Sequence, residues 1–280
     1  MADYMKHKTG SDLSSIAKYV RRDILQMSYR ARSAHSGGAY SCVEILVSLY
    51  FGVMRVFPKN ALHESRDRLI FSKAHDAKAL YAVLAERGFF DKKILKKYEV
   101  DEGILPGHST RHCVPGVEVS AGALGHGLSL ASGVALAGKM KSKSYRVFAV
   151  LSDGECDEGS TWEAALFAGH HGLSNLTVVV DYNKLQGYGK TQDILALEPF
   201  ADKWRAFGWE AKEVDGHKFA DLMKGFSSVP FKQGKPSVII AHTIKGLGGP
   251  KQHVGAVSSQ YKPPTEEEYY ETLKSLGFKK

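Results

Sequence analysis

The chain has 280 residues, 43% of them hydrophobic, with 38 Lys and Arg against 30 Asp and Glu and a formal net charge of +8. That length can bury a full core as one large α/β domain, spanning residues 1–280 with its core over about 12–250 and a C-terminal helix near 265–276. No run of the ~18 apolar residues needed to span a bilayer occurs, and the opening stretch MADYMKHKTGSDLSSIAKYV has no signal-peptide apolar core.

In chain order, apolar spacing predicts helices over Asp12–Arg32 and Ser41–Phe51, then a strand over Arg68–Ser72 and a helix over Ala74–Arg87. A Gly-rich region leads into a helix expected at Ala121–Met140 and a strand at Tyr145–Leu151. Helix Ser160–His171, strand Leu176–Asp181, helix Glu198–Ala206, strand Trp209–Val214, helix Lys218–Gly225 and strand Ser237–Thr243 follow. Thr265 after Pro-Pro reads as the N-cap of a last helix, with acidic residues in its first turn and Gly277 beyond its end. The runs VFAVL and LTVVV are apolar on both faces, as in central parallel strands covered by helices. Strands alternating with helices predict a doubly wound parallel sheet with helices on both faces.

The most informative stretch is Tyr145–Thr191. One apolar strand ends in Asp153-Gly154 and the next in Asp181-Tyr182-Asn183-Lys184-Leu185. Asp153 and Asn183 therefore stand at the carboxyl ends of neighbouring strands, the edge where open α/β sheets bind ligands. One carboxylate and one carboxamide are too little charge for an all-protein metal cage. They suit a hard cation that takes further oxygens from a bound phosphate group. Gly154 lets a ligand approach the backbone. Two polar residues merely closing two buried strands is the plain alternative.

Three of the twelve histidines sit in loop-like contexts: Ser33-Ala34-His35-Ser36-Gly37-Gly38, Ser72-Lys73-Ala74-His75 and Leu105-Pro106-Gly107-His108. Imidazole titrates near neutrality, so each can pass a proton, although a single loop histidine is more often a surface residue. Gly122-Ala123-Leu124-Gly125-His126-Gly127 has the wrong spacing for a dinucleotide loop. The cysteines, Cys42, Cys113 and Cys156, are odd in number and far apart, as reduced thiols in a cytoplasmic protein would be. The lysines are scattered in pairs, and no aromatic-basic motif marks a nucleic-acid surface. Attraction for phosphorylated sugars or for an acidic partner explains the positive charge more simply.

Taken in order, these runs resemble transketolase. The D-G, helix, D-x-N-K pattern is similar to the thiamine-diphosphate fingerprint, with Ser152 in place of its first glycine. Ser33–Gly37 resembles S-G-H-P-G, Asp67–His75 resembles D-R-F-x-L-S-x-G-H, and Pro106–Thr110 resembles P-G-H-P-E. Pro115–Gly127 is similar to P-G-V-E-x-x-T-G-P-L-G-Q-G, with Ala123 replacing the proline, and His242–Gly248 carries T-x-K-G-x-G. The resemblance implies the thiamine-diphosphate-binding fold and the cofactor thiamine diphosphate, held by Mg²⁺ or Ca²⁺ on Asp153, Asn183 and the Leu185 carbonyl. It implies that His75, Gly122, Leu124, Gly154, Asn183 and Lys245 contact the cofactor, with Glu158 and Glu163 at a supporting subunit interface. His35 and His108 would face the substrate and move protons. His253, in Gln252-His253-Val254-Gly255, is the best candidate for a late-loop histidine that touches diphosphate or substrate.

A full transketolase has three domains, and the second supplies a glutamate that acts on the aminopyrimidine. The chain resembles only the first, so the expectation is the N-terminal subunit of a two-component enzyme that moves a two-carbon ketol unit between phosphorylated sugars. A separately encoded C-terminal subunit would complete an α₂β₂ assembly, with no nucleic-acid or membrane partner. The alternatives are the N-terminal part of a deoxyxylulose-phosphate-synthase-like enzyme and a non-catalytic cofactor-binding partner.

Overall fold

The computed structural model describes residues 10–279, so residues 1–9 and Lys280 of the expected single domain lie outside the described residues. The chain opens with α1 (Gly10–Arg30), α2 (Gly37–Ser41) and α3 (Val43–Ser48), the last running into a wider turn over Leu49–Val53. It continues through β1 (Arg68–Phe71), α4 (Ala77–Arg87), α5 (Gly127–Met140), β2 (Val147–Ser152) and α6 (Gly159–His170). Then come β3 (Leu176–Tyr182), α7 (Thr191–Ile194), α8 (Phe200–Ala206), β4 (Glu210–Asp215), α9 (Phe219–Ser227), β5 (Ser237–His242) and α10 (Glu266–Ser275). All five strands pair in parallel in the order β1-β2-β3-β5-β4.

Helices cover both faces because the central strands are apolar on both. Leu69, Phe71, Phe148, Val150, Val179, Ile239 and Ala241 face a core shared with α1, α3, α4 and α9. Ile70, Ala149, Leu151, Val178, Val180 and Ile240 face a second core with α5, α6, Phe200 and Trp204. β2 and β3 are buried along their whole length, whereas the edge strand β4 is partly exposed. The α10 capping box is complete: Thr265 accepts from the Glu268 N–H and Glu268 accepts from the Thr265 N–H.

Three expectations need correction. The helix expected from Ala121 starts at Gly127, because Gly125 takes a left-handed φ of +80° and Gly122–His126 is a loop. The helix expected over Ser41–Phe51 is broken at Cys42 and ends in the widened turn. The helix expected from Ala74 opens as a 3₁₀ turn over Ala74–Asp76. Among the described residues no helix is long and apolar enough to cross a membrane.

Candidate active site

The carboxyl ends of β1, β2, β3 and β5 open on one cleft of about 390 Å³. In the parallel register Ser152 lies beside Asp181, so Asp153 and Asn183 both fall just past the strand ends. Asp153 is buried and well held: Oδ1 accepts from the Gly154 N–H at 2.9 Å, and Oδ2 from the Lys184 N–H at 2.6 Å and the Thr191 hydroxyl at 3.1 Å. Burial, with the charge of Asp181, pushes its carboxyl up to about 6. Asn183 Oδ1 accepts from the Leu185 N–H at 3.0 Å, and its Nδ2 donates to Ser41 Oγ at 3.4 Å. The Leu185 carbonyl faces the same cleft and accepts from Lys245 Nζ at 3.1 Å.

This donor set is carboxylate, carboxamide and backbone carbonyl. It fits a hard cation such as Mg²⁺ or Ca²⁺, and among the described residues no group of three His, Cys, Asp or Glu side chains offers a competing cage. Lys245, buried at the cleft wall, puts a cation where an anionic diphosphate would be balanced, although burial lowers its basicity.

The other end of the cleft carries imidazoles. The ring of His35 stands 6.3 Å from that of His75 and 6.5 Å from that of His108. His35 adopts a left-handed φ of +55°. Its loop is clamped by its own N–H on the Gln260 carbonyl at 3.0 Å and by Lys78 Nζ on the Ala34 carbonyl at 2.5 Å. Burial drives His75 down to about 4 against the pull of Asp76, whose carboxylate lies 3.3 Å from its Nε2. Burial also lowers His35. His108 is exposed, beside Gly122. Gly122, Leu124 and Gly154 line the cleft as well.

Ten expected residues therefore share one cleft: His35, His75, His108, Gly122, Leu124, Asp153, Gly154, Asn183, Leu185 and Lys245. The other expected residues do not line it. His253 is buried in the turn Lys251–His253 with Nε2 3.9 Å from Glu268 of α10. The short loop after Gly248 folds it toward the C-terminal helix, which removes it from contact with diphosphate or substrate in this conformation. Glu158 stands exposed at the N-terminus of α6, against Gly125, and Glu163 is exposed on the same helix.

Sequence reading passed over a buried charge network beneath the cleft. Lys73 pairs with Asp181 and, at 3.0 Å, with Asp76. Ser41 Oγ donates to Asp181 Oδ2 at 2.6 Å and the Thr243 hydroxyl donates to Asp181 Oδ1. Burial opposes the Lys73 charge, but the two carboxylates outweigh it and keep the amine protonated. The available signal was ionisable residues at the ends of strands otherwise wholly apolar. A Cβ on Gly38 would strike Asp76 Oδ2 at 2.3 Å, so that glycine lets α2 close over the network.

A family model described as transketolase, thiamine diphosphate binding domain, matches residues 13–280. The chain belongs to the transketolase family. It is 38% identical over 257 residues to one of the two chains of an apulose-4-phosphate transketolase from Phocaeicola vulgatus, covering 92% of this chain and 91% of that protein. It is 40% identical over 256 residues to "6-deoxy-6-sulfo-D-fructose transketolase subunit SqwG" of a Clostridium species, covering 91% and 93%. The transketolase from Leishmania mexicana superposes with a TM-score of 0.89 at 26% identity over 97% of this chain. The chain spans 42% of the length of that solved transketolase, but nearly the whole length of the two subunit relatives. It is thus a transketolase-type transferase of the divided kind, with a thiamine-diphosphate-binding domain.

Proposed function

We propose that this chain, as one domain, holds the diphosphate end of thiamine diphosphate in a cytoplasmic, two-component transketolase that transfers a two-carbon ketol unit between phosphorylated sugars. The observation that carries the reading is the pairing, in one cleft, of an oxygen donor set at one end with three imidazoles at the other. Asp153, Asn183 and the Leu185 carbonyl would hold Mg²⁺ or Ca²⁺ against the diphosphate. Lys245 would balance the remaining phosphate charge, and His75 and Gly154 would contact the same group. Gly122 and Leu124 would border the ring. When bound, thiamine diphosphate supplies the carbon nucleophile that accepts the two-carbon unit.

The work of the chain itself is positional and protonic. His35 and His108 are placed to hydrogen-bond sugar hydroxyl and carbonyl oxygens and to carry a proton to or from them. Buried His75 stays neutral, so it can donate from one ring nitrogen while the other faces Asp76. Both named relatives are subunits of divided transketolases, which supports a separately encoded C-terminal partner in an α₂β₂ assembly. The test is a ketol-transfer assay on the chain co-purified with that partner, using phosphorylated ketoses as donors. Transfer that requires both chains, thiamine diphosphate and a divalent cation is the expected result. Absence of transfer from every phosphorylated ketose tried would sink the reading.

A further inference from the structure

Two residues beyond Asp153 lies a carboxylate that the proposed chemistry does not use. Glu155 sits in the short 3₁₀ turn Gly154–Asp157, fully buried beneath the cleft and not lining it. Its partners are all neutral donors. Oε1 accepts from the Ser72 hydroxyl at the end of β1 and from the Gly125 N–H at 2.9 Å, while Oε2 faces the Ser152 N–H at 3.4 Å. A buried carboxylate with no paired cation is costly, so its retention calls for a reason.

The reason lies in the loop it grips. The hydrogen bonds that tie Gly122–Gly125 to other elements both fall on Gly125: its N–H goes to Glu155, and its carbonyl accepts from Ser160 Oγ at 3.0 Å. Gly125 is the left-handed pivot of that loop, and a Cβ there would strike Ser160 Oγ at 2.3 Å and Glu158 Cβ at 2.7 Å. One carboxylate oxygen thus joins three parts of the site: the strand end before His75, the turn that carries Asp153, and the loop that carries Gly122 and Leu124.

We propose that Glu155 is the positioning residue that fixes the Gly122–Gly125 loop in the conformation that receives the cofactor ring. The ring assignment rests on the proposed function; the anchoring of the loop does not. A charged acceptor can take two donors at one oxygen, and bonds to a charged group are stronger than neutral ones. A carboxylate therefore holds a glycine-rich loop where a neutral side chain would hold it less firmly.

Two measurements test this on Glu155→Ala and Glu155→Gln. The first is hydrogen exchange on the full chain. The Gly125 amide should be protected in the wild type, lose that protection in Glu155→Ala and largely regain it in Glu155→Gln, which keeps an acceptor oxygen. Unchanged protection in Glu155→Ala overturns the proposal. The second is calorimetry on the complex with the partner chain, with Mg²⁺ present, comparing thiamine diphosphate with inorganic pyrophosphate. Glu155→Ala should weaken thiamine diphosphate by about tenfold or more, the scale of one lost bond to a charged group. Pyrophosphate, which has no ring, should bind as in the wild type. Equal weakening of both ligands, or of neither, overturns ring positioning. A wild-type complex that binds neither ligand overturns the functional reading, and the ring assignment with it, while the exchange result still stands or falls alone.

Discussion

At the scale of single residues, the cleft is set by what each side chain costs to bury. Asp153 takes three hydrogen bonds, and burial still pushes its carboxyl up to about 6, so a cation is the partner that would make its charge favourable. Asp153→Ala should abolish cation-dependent thiamine diphosphate binding by calorimetry and leave the circular dichroism spectrum intact; unchanged affinity would remove the metal assignment. His108→Ala and His35→Ala should each lower turnover by the equivalent of ~2 kcal/mol or more, with little change in cofactor affinity, as befits groups on the substrate side. His75 gives a pH signature. Its folded value is about 4 against 6.5 for the free side chain, so the unfolded chain binds the proton first. Stability is therefore full above about 6.5 and falls as pH drops toward 4, by at most ~3 kcal/mol from this group. Denaturant midpoints of His75→Gln should fall less over that window than those of the wild type. Most of these residues were legible in the sequence, because strand-end acids and loop histidines break apolar or Gly-rich context. The placement of His253 was not, because local sequence does not say which way a short loop folds. Glu155, Asp76 and Lys73 were passed over because their burial is set by elements far along the chain.

At the scale of elements, the five strands were legible to within two residues at each end, since runs such as VFAVL and LTVVV have no other stable place than a covered parallel sheet. Helix starts were less so. Small apolar residues in Ala121–Gly127 continue the helical pattern, yet a left-handed glycine and contacts to β1 and α6 hold them as a loop. The packing of α5 on β1 depends on the first residue of that helix. A Cβ at Gly127 would lie 2.0 Å from Ser72 Oγ and 2.9 Å from its Cα, so backbone must move. Gly127→Ala should destabilise by ~1–3 kcal/mol, read from the denaturant midpoint, although alanine is the better helix former. A neutral or stabilised variant would show that β1 and α5 can slide apart freely.

At the scale of the whole molecule, the isolated chain leaves apolar side chains in water where α5 and α6 face outward. Leu130, Met140, Leu166 and Phe167 are all exposed there, close in sequence to exposed Glu158 and Glu163. A surface of this kind marks an interface. Alone, the chain should show no ketol transfer and should self-associate. With its partner it should form an active α₂β₂ complex that buries on the order of 2,000 Å² or more, as permanent assemblies do. Solution mass and transfer rate, measured with and without the partner, decide the matter; full activity from the single purified chain would refute a divided enzyme.

The parallel pairing of β2 with β3 also makes the sheet a ruler. Asn183 lies two residues beyond Asp181, which is in register with Ser152, the neighbour of Asp153. Side chains alternate faces along a strand, so a one-residue deletion inside β3 would turn Asn183 and Asp181 to the opposite side together. Extra residues in the turn between α6 and β3, by contrast, leave that spacing untouched. Insertion scanning along this chain should therefore give a map with a sharp boundary: tolerance through His171–Asn175, and loss of cation-dependent binding from the first change within Leu176–Asn183.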